Sequence, residues 1–118
     1  MKVIGIIGTR KRDTREDRQK ISTAFLNIYE HGDEIVSGGC SAGGDRFAEE
    51  LAKLFQIPIK IYYAEWERRG RVAGFIRNRL IARDADVLIA CVAPDRKGGT
   101  EDTIRKFLAL GKDRLILV

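Results

Sequence analysis

The chain has 118 residues, of which 44% are hydrophobic and 33% charged, and its formal net charge at pH 7 is +5. Residues 1–118 are therefore expected to form one globular domain. Because we find neither a signal peptide nor an apolar run long enough to span a bilayer, we expect a cytoplasmic protein without a membrane partner. Two cysteines and one histidine are too few for a disulfide framework or a zinc site, so no metal is expected.

The first half of the chain predicts two units, each a strand followed by a helix. Residues 2–8 form a nearly continuous apolar run, which is typical of a central strand in a parallel sheet. The helix that follows is expected to end near residues 31–32 and to pack through Ile21, Ala24, Phe25 and Ile28. Two residue pairs fit the pattern of its cap, namely Asp13 with Glu16 and Thr14 with Asp17. The second unit is a strand over residues 34–37, a glycine-rich loop, and a helix whose apolar stripe is Phe47, Ala48, Leu51, Ala52 and Phe55.

The second half predicts three more strands. They are expected at residues 57–63, 86–92 and 114–118, where apolar and β-branched residues are concentrated. Between the first two of these strands we predict a polar loop over residues 64–74, which holds the only tryptophan, and a short helix over residues 75–83. A second glycine loop at 94–100 precedes a helix expected to pack through Ile104, Phe107 and Leu108 and to be closed by Gly111.

This alternation of strands and helices predicts an α/β fold. With right-handed crossovers it forms a three-layer Rossmann-like domain with a parallel five-stranded sheet, and we expect the strand order 3-2-1-4-5. The carboxyl ends of parallel strands meet at one edge of a sheet, and ligands bind at that edge where the strand order reverses. The loops that follow strands one, two and four are therefore expected to open on a common site.

Four glycines make the loop after strand two the strongest candidate for a binding loop. They are Gly38, Gly39, Gly43 and Gly44. Glycine allows a positive φ and leaves room for backbone N–H groups to converge on a ligand. The helix that begins after the loop adds positive potential, which favours phosphate or carboxylate. The alternative is a glycine-rich turn without chemical consequence, which three converging glycine loops make less attractive.

The positive charge comes mainly from arginines, which outnumber lysines. Because guanidinium groups suit phosphates and carboxylates, an anionic partner is indicated, either a nucleotide or the backbone of a nucleic acid. A solvated basic surface without a partner would have the same composition. Single-stranded DNA is the weaker alternative, since few aromatic residues are present to stack on bases.

An ordered set of motifs resembles the YspA-like branch of the SLOG superfamily, which groups DprA with the LOG proteins, and the resemblance spans nearly the whole chain. The motifs are Ser37-Gly38-Gly39, Gly44-Asp45-Arg46, Trp66, Ala73-Gly74 with Arg77-Asn78, Ala85-Asp86 and Gly98-Gly99-Thr100. The resemblance implies a Rossmann-like domain that binds or senses a nucleotide or a nucleotide-derived ligand and requires no cofactor. It also raises the possibility of a homodimer, because LOG relatives are commonly dimers.

LOG enzymes cleave the N-glycosidic bond of nucleoside monophosphates, and the resemblance therefore implies a phosphoribohydrolase as the alternative function. Arg77 resembles the LOG arginine that precedes strand four. The LOG glutamate falls at Thr103, and the glycine loop lacks the LOG proline, so the neighbouring Glu101 and Asp102 are the tentative catalytic carboxylates. Cleavage needs a carboxylate to stabilise an oxocarbenium-like centre or to activate water.

The remaining hypotheses assign roles at the sheet edge. Backbone amides and hydroxyls are expected to bind phosphate and sugar oxygens; they belong to Gly8, Thr9, Ser37, Gly38, Gly39, Gly43, Gly44, Gly98, Gly99 and Thr100. Arg77 supplies charge, Asn78 holds ligand or loop, and Asp45 either accepts from ribose hydroxyls or only complements a helix end. Trp66 either stacks on a base or packs the loop, and Arg10 either reaches the ligand or faces solvent.

Overall fold

The computed structural model describes residues 1–118 as five strands that alternate with helices. The elements are β1 (Val3–Gly8), α1 (Arg15–Ile28), β2 (Glu34–Ser37), α2 (Gly44–Phe55), β3 (Ile59–Ile61), α3 (Trp66–Arg69), a 3-10 turn (Gly70–Val72), α4 (Ala73–Asp84), β4 (Val87–Cys91), α5 (Gly99–Ala109) and β5 (Leu115–Leu117). None of the helices has the length and apolar character needed to cross a membrane.

All five strands are parallel and lie in the order β3-β2-β1-β4-β5, which confirms the predicted α/β fold and strand order. The central strand β1 pairs with β4 from Ile4 opposite Val87 to Gly8 opposite Cys91. On its other side β1 pairs with β2. The chain therefore reverses its direction of travel across the sheet at β1 and β4, and the carboxyl ends of these strands lie beside each other.

The sheet separates two apolar cores, because successive side chains of a strand point to opposite faces. On one face Ile4 and Ile6 pack against α1 and α2, mainly through Ile21, Phe25, Phe47, Ala48 and Leu51. On the other face Ile7 and Val36 pack against α4 and α5, mainly through Ile81, Ala82, Ile104 and Phe107. The helices thus form the two outer layers, and every loop after a strand opens at the same edge.

Several boundaries differ from the predictions. β3 has only three residues. α1 ends at Ile28, before the predicted end, because the Asp33 carboxylate accepts from the backbone N–H of Glu30 and holds the next turn outside the helix. The predicted polar loop contains the short helix α3, whose N-cap residue Glu65 pairs with Arg68 and Arg69 one turn away.

Two side chains expected in the core are exposed. Phe55 is 46% exposed and Leu108 is 47% exposed. Phe55 is the last residue of α2, and Leu108 lies in the last turn of α5. Both helices end there at the rim of the domain, so the apolar pattern continues past the surface that the sheet can cover.

The cap of α1 uses one of the two pairs that the sequence offered. The side chain of Thr14 accepts from the backbone N–H of Asp17 at 3.1 Å, and the Asp17 carboxylate accepts from the backbone N–H of Thr14 at 3.2 Å. This reciprocal arrangement is a capping box. Asp13 is thereby left for another role: it accepts from the backbone N–H of Gly43 at the start of α2.

Asp33 is a buried carboxylate that joins the loop after α1 to the start of β1. It accepts from the Lys2 backbone N–H at 2.9 Å, from Lys2 Nζ at 2.5 Å and from the Glu30 backbone N–H at 2.8 Å. Burial raises the pKa of Asp33, but these hydrogen bonds and the Lys2 charge outweigh burial and lower the pKa from 3.8 to about 2. The ionised form is therefore the one that the fold stabilises.

This depressed pKa predicts acid sensitivity. The contribution of Asp33 to the free energy of unfolding should be complete above about pH 4 and should be lost as pH falls through the folded-state pKa of about 2. Urea unfolding of the wild type and of Asp33→Asn is measured between pH 7 and pH 2. The difference in their free energy of unfolding should shrink as the pH falls. A difference in free energy of unfolding that stays constant across this range would contradict the prediction.

Candidate functional site

A cleft of about 660 Å³ opens at the carboxyl edge of the sheet. Its walls come from the loops after β1, β2, β3 and β4, from α4 and from the start of α5. The structure brings twelve of the predicted site residues to this cleft: Gly8, Thr9, Arg10, Gly38, Gly39, Asp45, Trp66, Arg77, Asn78, Gly98, Gly99 and Thr100. Five predicted site residues do not line it: Ser37, Gly43, Gly44, Glu101 and Asp102.

Arg77 is the most informative side chain of the cleft. It projects from α4, is half-buried, donates from Nη1 to the carbonyl oxygen of Gly38 at 2.9 Å and donates from Nε to Asn78 Oδ1 at 2.9 Å. Both acceptors are neutral, and no carboxylate oxygen lies within 4.0 Å of the guanidinium. A positive charge that is held in place but not compensated by an ion pair therefore faces the cleft.

Three further cations stand on the rim. Arg10 and Lys11 follow β1, Lys97 precedes α5, and none of the three forms an ion pair within 4.0 Å. Lys11 and Lys97 were not predicted as site residues, although each directly adjoins a predicted loop. Asp45 is the one acidic residue that lines the cleft. The potential inside the cleft is therefore positive, which favours an anionic ligand.

Asp45 lies beneath the loop after β2 and is only 7% exposed. Its Oδ2 accepts from the backbone N–H of Cys40 at 3.1 Å, and its Oδ1 lies 3.1 Å from Ser37 Oγ. Burial raises the pKa of Asp45, and the Cys40 amide, the Arg77 charge and Ser37 offset only part of that rise. Both carboxyl oxygens have partners inside the protein, so in this structure Asp45 holds the loop rather than presenting free acceptors.

Two glycines of this loop serve packing and not the cleft. A Cβ on Gly44 would lie 2.5 Å from the backbone nitrogen of Gly8 and equally close to the carbonyl oxygen of Ile7. The first turn of α2 can therefore rest directly on β1 only because residue 44 has no side chain. Gly43 has a φ of 74° and donates its backbone N–H to Asp13. Both were predicted to reach a ligand with their amides, but the structure buries both and places neither in the lining of the cleft.

Ser37 also turns away from the cleft. It is fully buried, and its hydroxyl lies 2.6 Å from the carbonyl oxygen of Ile6 in the neighbouring strand. Ser37 was predicted to bind ligand oxygens, but the structure does not place it in the lining of the cleft. As the last residue of β2 it alternates toward the core face occupied by α2, so its hydroxyl finds partners within the protein.

Gly38 and Gly39 do reach the cleft, and each admits a large neighbour. A Cβ on Gly38 would lie 2.7 Å from Arg77 Nη1, and a Cβ on Gly39 would lie 2.5 Å from the ring of Tyr63. Only Gly39 of this pair has a positive φ, at 74°. Glycine is therefore needed at position 38 because Arg77 approaches its backbone closely. At position 39 it is needed both for the positive φ and for the close approach of Tyr63.

Two exposed aromatic rings stand at the mouth of the cleft. Trp66 is 54% exposed, and its ring lies over Gly74, where a Cβ would be 3.0 Å from the indole. Tyr63 is 65% exposed, packs over Gly39 and was missed as a site residue. Its place at the carboxyl end of the strand predicted over residues 57–63, at the edge where the other loops open, is the signal that could have identified it. Exposed rings beside a cleft offer planar surfaces to a ligand.

Asn78 is a buried amide that links α4 to the start of α5. Its Oδ1 accepts from Arg77, and its Nδ2 donates to the Gly99 carbonyl oxygen at 3.3 Å and to Asp102 Oδ2 at 3.1 Å. Asn78 therefore fixes the direction of the Arg77 side chain and anchors the second glycine loop. Gly98, with a φ of 108° and no atom within 4 Å of an added Cβ, is required for its backbone conformation alone.

The two tentative catalytic carboxylates are engaged elsewhere. Glu101 accepts from Arg96 Nε at 2.8 Å and from Arg96 Nη2 at 2.9 Å. Burial raises the pKa of Asp102, but hydrogen bonds from Lys106 and Asn78 outweigh it and hold the pKa below its usual range. Thr103, at the LOG glutamate position, does line the cleft, and its hydroxyl donates to the Gly99 carbonyl oxygen at 3.3 Å.

A second groove, of about 510 Å³, runs along β2 and β3. Among its polar side chains, the Tyr62 hydroxyl donates to Asp84, and Asp84 also pairs with Arg83. It holds none of the predicted site residues. The cleft at the carboxyl edge is therefore the candidate site.

Comparisons of the chain with family profiles, with curated proteins and with solved structures find no match.

Proposed function

We propose that this chain binds a nucleotide or a nucleotide-derived phosphate ligand in the cleft at the carboxyl edge of the sheet and acts as a binding or sensing module. The observation that carries the proposal is the uncompensated Arg77 guanidinium. Two of its N–H groups are used by Gly38 and Asn78. A guanidinium has about five N–H donors, so the others are free for the oxygens of an anionic group.

The rest of the cleft supplies what such a ligand needs. Lys97 and the first turn of α5 provide positive charge and backbone N–H groups near Gly98 and Gly99, a setting that favours phosphate. Tyr63 and Trp66 offer aromatic surface to a base at the mouth. A volume of about 660 Å³ lies within the range of small-molecule sites. The resemblance to the SLOG superfamily points to the same class of ligand.

Binding is favoured over glycosidic cleavage by the state of the carboxylates. A catalytic acid or base must come within hydrogen-bond reach of the scissile bond, directly or through one water. Glu101 is paired with Arg96 and Asp102 with Lys106, and neither lines the cleft. Asp45 does line it but is buried and held by Ser37 and Cys40. We therefore propose that the chain resembles the ligand-sensing members of the superfamily more than its hydrolases.

The test compares two arginines of the same helix. Arg77→Gln removes the cleft charge, whereas Arg79→Gln makes the same change of charge at an exposed position outside the cleft. Charge-assisted hydrogen bonds contribute about 1.5–3 kcal/mol, so Arg77→Gln should weaken binding at least about tenfold. Arg79→Gln should bind as the wild type does. Affinities for AMP, NAD and ADP-ribose are measured by calorimetry, with thermal shift as a screen.

The same samples are assayed for release of free base from each nucleotide. We expect a thermal shift and no release. Absence of binding to every nucleotide, or equal losses in the two variants, would refute the proposed site. Base release by the wild type that is abolished when Glu101 and Asp102 are both changed to alanine would instead support the alternative function, a phosphoribohydrolase.

A further inference from the structure

The Ser37 hydroxyl lies close to two oxygen atoms but has only one hydrogen to donate. Its hydroxyl oxygen lies 2.6 Å from the Ile6 carbonyl oxygen and 3.1 Å from Asp45 Oδ1. A serine hydroxyl has one hydrogen, and a carbonyl oxygen has none. The shorter contact must contain the serine hydrogen, because two oxygens without a hydrogen between them repel each other at this distance. That hydrogen points away from Asp45, so the contact with Asp45 is best satisfied when the carboxyl group supplies the hydrogen.

The surroundings of Asp45 agree with a neutral carboxyl group. Asp45 is 7% exposed, and burial raises its pKa. Arg77 acts on it from α4, yet the two groups form no ion pair within 4.0 Å, and the guanidinium donates to neutral oxygens instead.

The other charged and titratable groups around Asp45 do not neutralise it. On α2, Arg46 is turned to Asp13 and Glu50, while Glu49 lies one turn along the helix. The loop after β2 contributes the backbone amides of Cys40 and Gly38, which carry no net charge and lower the pKa of Asp45 by less than burial raises it. The remaining cations of the cleft, Arg10, Lys11 and Lys97, stand on the loops after β1 and β4.

We propose that Asp45 carries a proton in the ligand-free cleft and acts as a positioning residue: as a neutral acid it holds the loop after β2 without cancelling the charge of Arg77. An ionised carboxylate at this position would compete with the ligand anion for the same guanidinium. Binding of an anion beside Arg77 therefore takes up protons wherever Asp45 is partly ionised. Only this linkage to binding rests on the function proposed above, since the proton on Asp45 is a property of the free protein.

The consequence for pH has a definite sign. Ligand affinity should be greatest where Asp45 is protonated and should fall as pH rises above its midpoint, by at most about tenfold per pH unit for one linked proton. A phosphomonoester has its own pKa near 6, so ADP-ribose, whose phosphates carry no such group, is the probe for this measurement.

The first arm of the test needs no ligand. Carbon NMR of the Asp45 carboxyl group, assigned with Asp45→Asn, should show a titration midpoint above the ordinary aspartate value of 3.8. Ser37→Ala then decides the direction of the hydrogen bond. If Asp45 donates to Ser37, removing the hydroxyl lowers the midpoint; if Ser37 donates to an ionised Asp45, it raises the midpoint. An ordinary or depressed midpoint in the wild type, or a rise in Ser37→Ala, would overturn the proposal.

The second arm measures proton uptake when ADP-ribose binds. Calorimetry at the Asp45 midpoint, in two buffers with different heats of ionisation, should show a fraction of a proton taken up by the wild type and none by Asp45→Asn. Asp13→Asn, a loop acid outside the cleft, is the matched control and should keep the uptake. Binding of ADP-ribose without proton uptake would show that the Asp45 proton is not linked to anion binding beside Arg77. Absence of binding would count against the proposed function alone, because the NMR arm still reports on the proton.

Discussion

Replacing Gly44 with alanine should destabilise the fold by about 3 kcal/mol or more, a large effect for a single methyl group. The added Cβ would meet the backbone of Ile7 and Gly8, with 2.5 Å to the Gly8 nitrogen. These atoms belong to the central strand, which pairs with β2 and β4 on its two sides and is not free to move. The first turn of α2 would have to leave the sheet and uncover the buried Phe47 and Ala48.

Gly99→Ala is the matched control for this substitution. A Cβ on Gly99 would meet nothing closer than Asn78 Nδ2 at 4.0 Å, and the residue begins α5, where alanine favours the helix. Its free energy of unfolding should stay within about 0.5 kcal/mol of the wild type. Urea denaturation of the three proteins checks both values. Similar stabilities for Gly44→Ala and Gly99→Ala would show that α2 can move off β1 at little cost.

The contrast between these glycines also shows how far the sequence predicts the molecule. The buried strands β1 and β4 are continuous apolar runs, and alternation with helices leaves few ways to order a parallel sheet, so the fold and strand order could be predicted. The shortness of β3 and the presence of the helix α3 could not be predicted, because neither segment has a buried apolar pattern and α3 depends on local ion pairs around Glu65.

The edge of the sheet could be predicted as the candidate site, but the direction in which each loop residue faces could not. Glycine composition indicates conformational freedom without saying whether a position faces the cleft, as at Gly38, or a neighbouring strand, as at Gly44. Carboxylates near a predicted site are ambiguous for a similar reason. Glu101 is engaged by Arg96, whose φ of 54° brings its side chain back over the helix start, and no sequence pattern signals that turn.

Asn78→Ala should weaken both the fold and the cleft. Asn78 is 5% exposed and is the neutral acceptor for Arg77 Nε, as well as a donor to Gly99 and Asp102. Leaving buried polar groups without partners costs about 1–3 kcal/mol, so the free energy of unfolding should fall by about 2–3 kcal/mol. Asn27→Ala, an exposed asparagine of α1, is the control and should have little effect on stability.

The effect of Asn78 on binding is separable from its effect on stability. Without Oδ1 of Asn78, one of the two contacts that direct the Arg77 guanidinium is lost, and the affinity for nucleotide should fall about tenfold. Because Asn78 acts through Arg77, adding Asn78→Ala to Arg77→Gln should cost little further affinity, and the double-mutant cycle should be strongly non-additive. Additive losses would mean that Asn78 contacts the ligand itself. Unchanged affinity in folded Asn78→Ala would mean that Gly38 alone is enough to hold the guanidinium in the cleft.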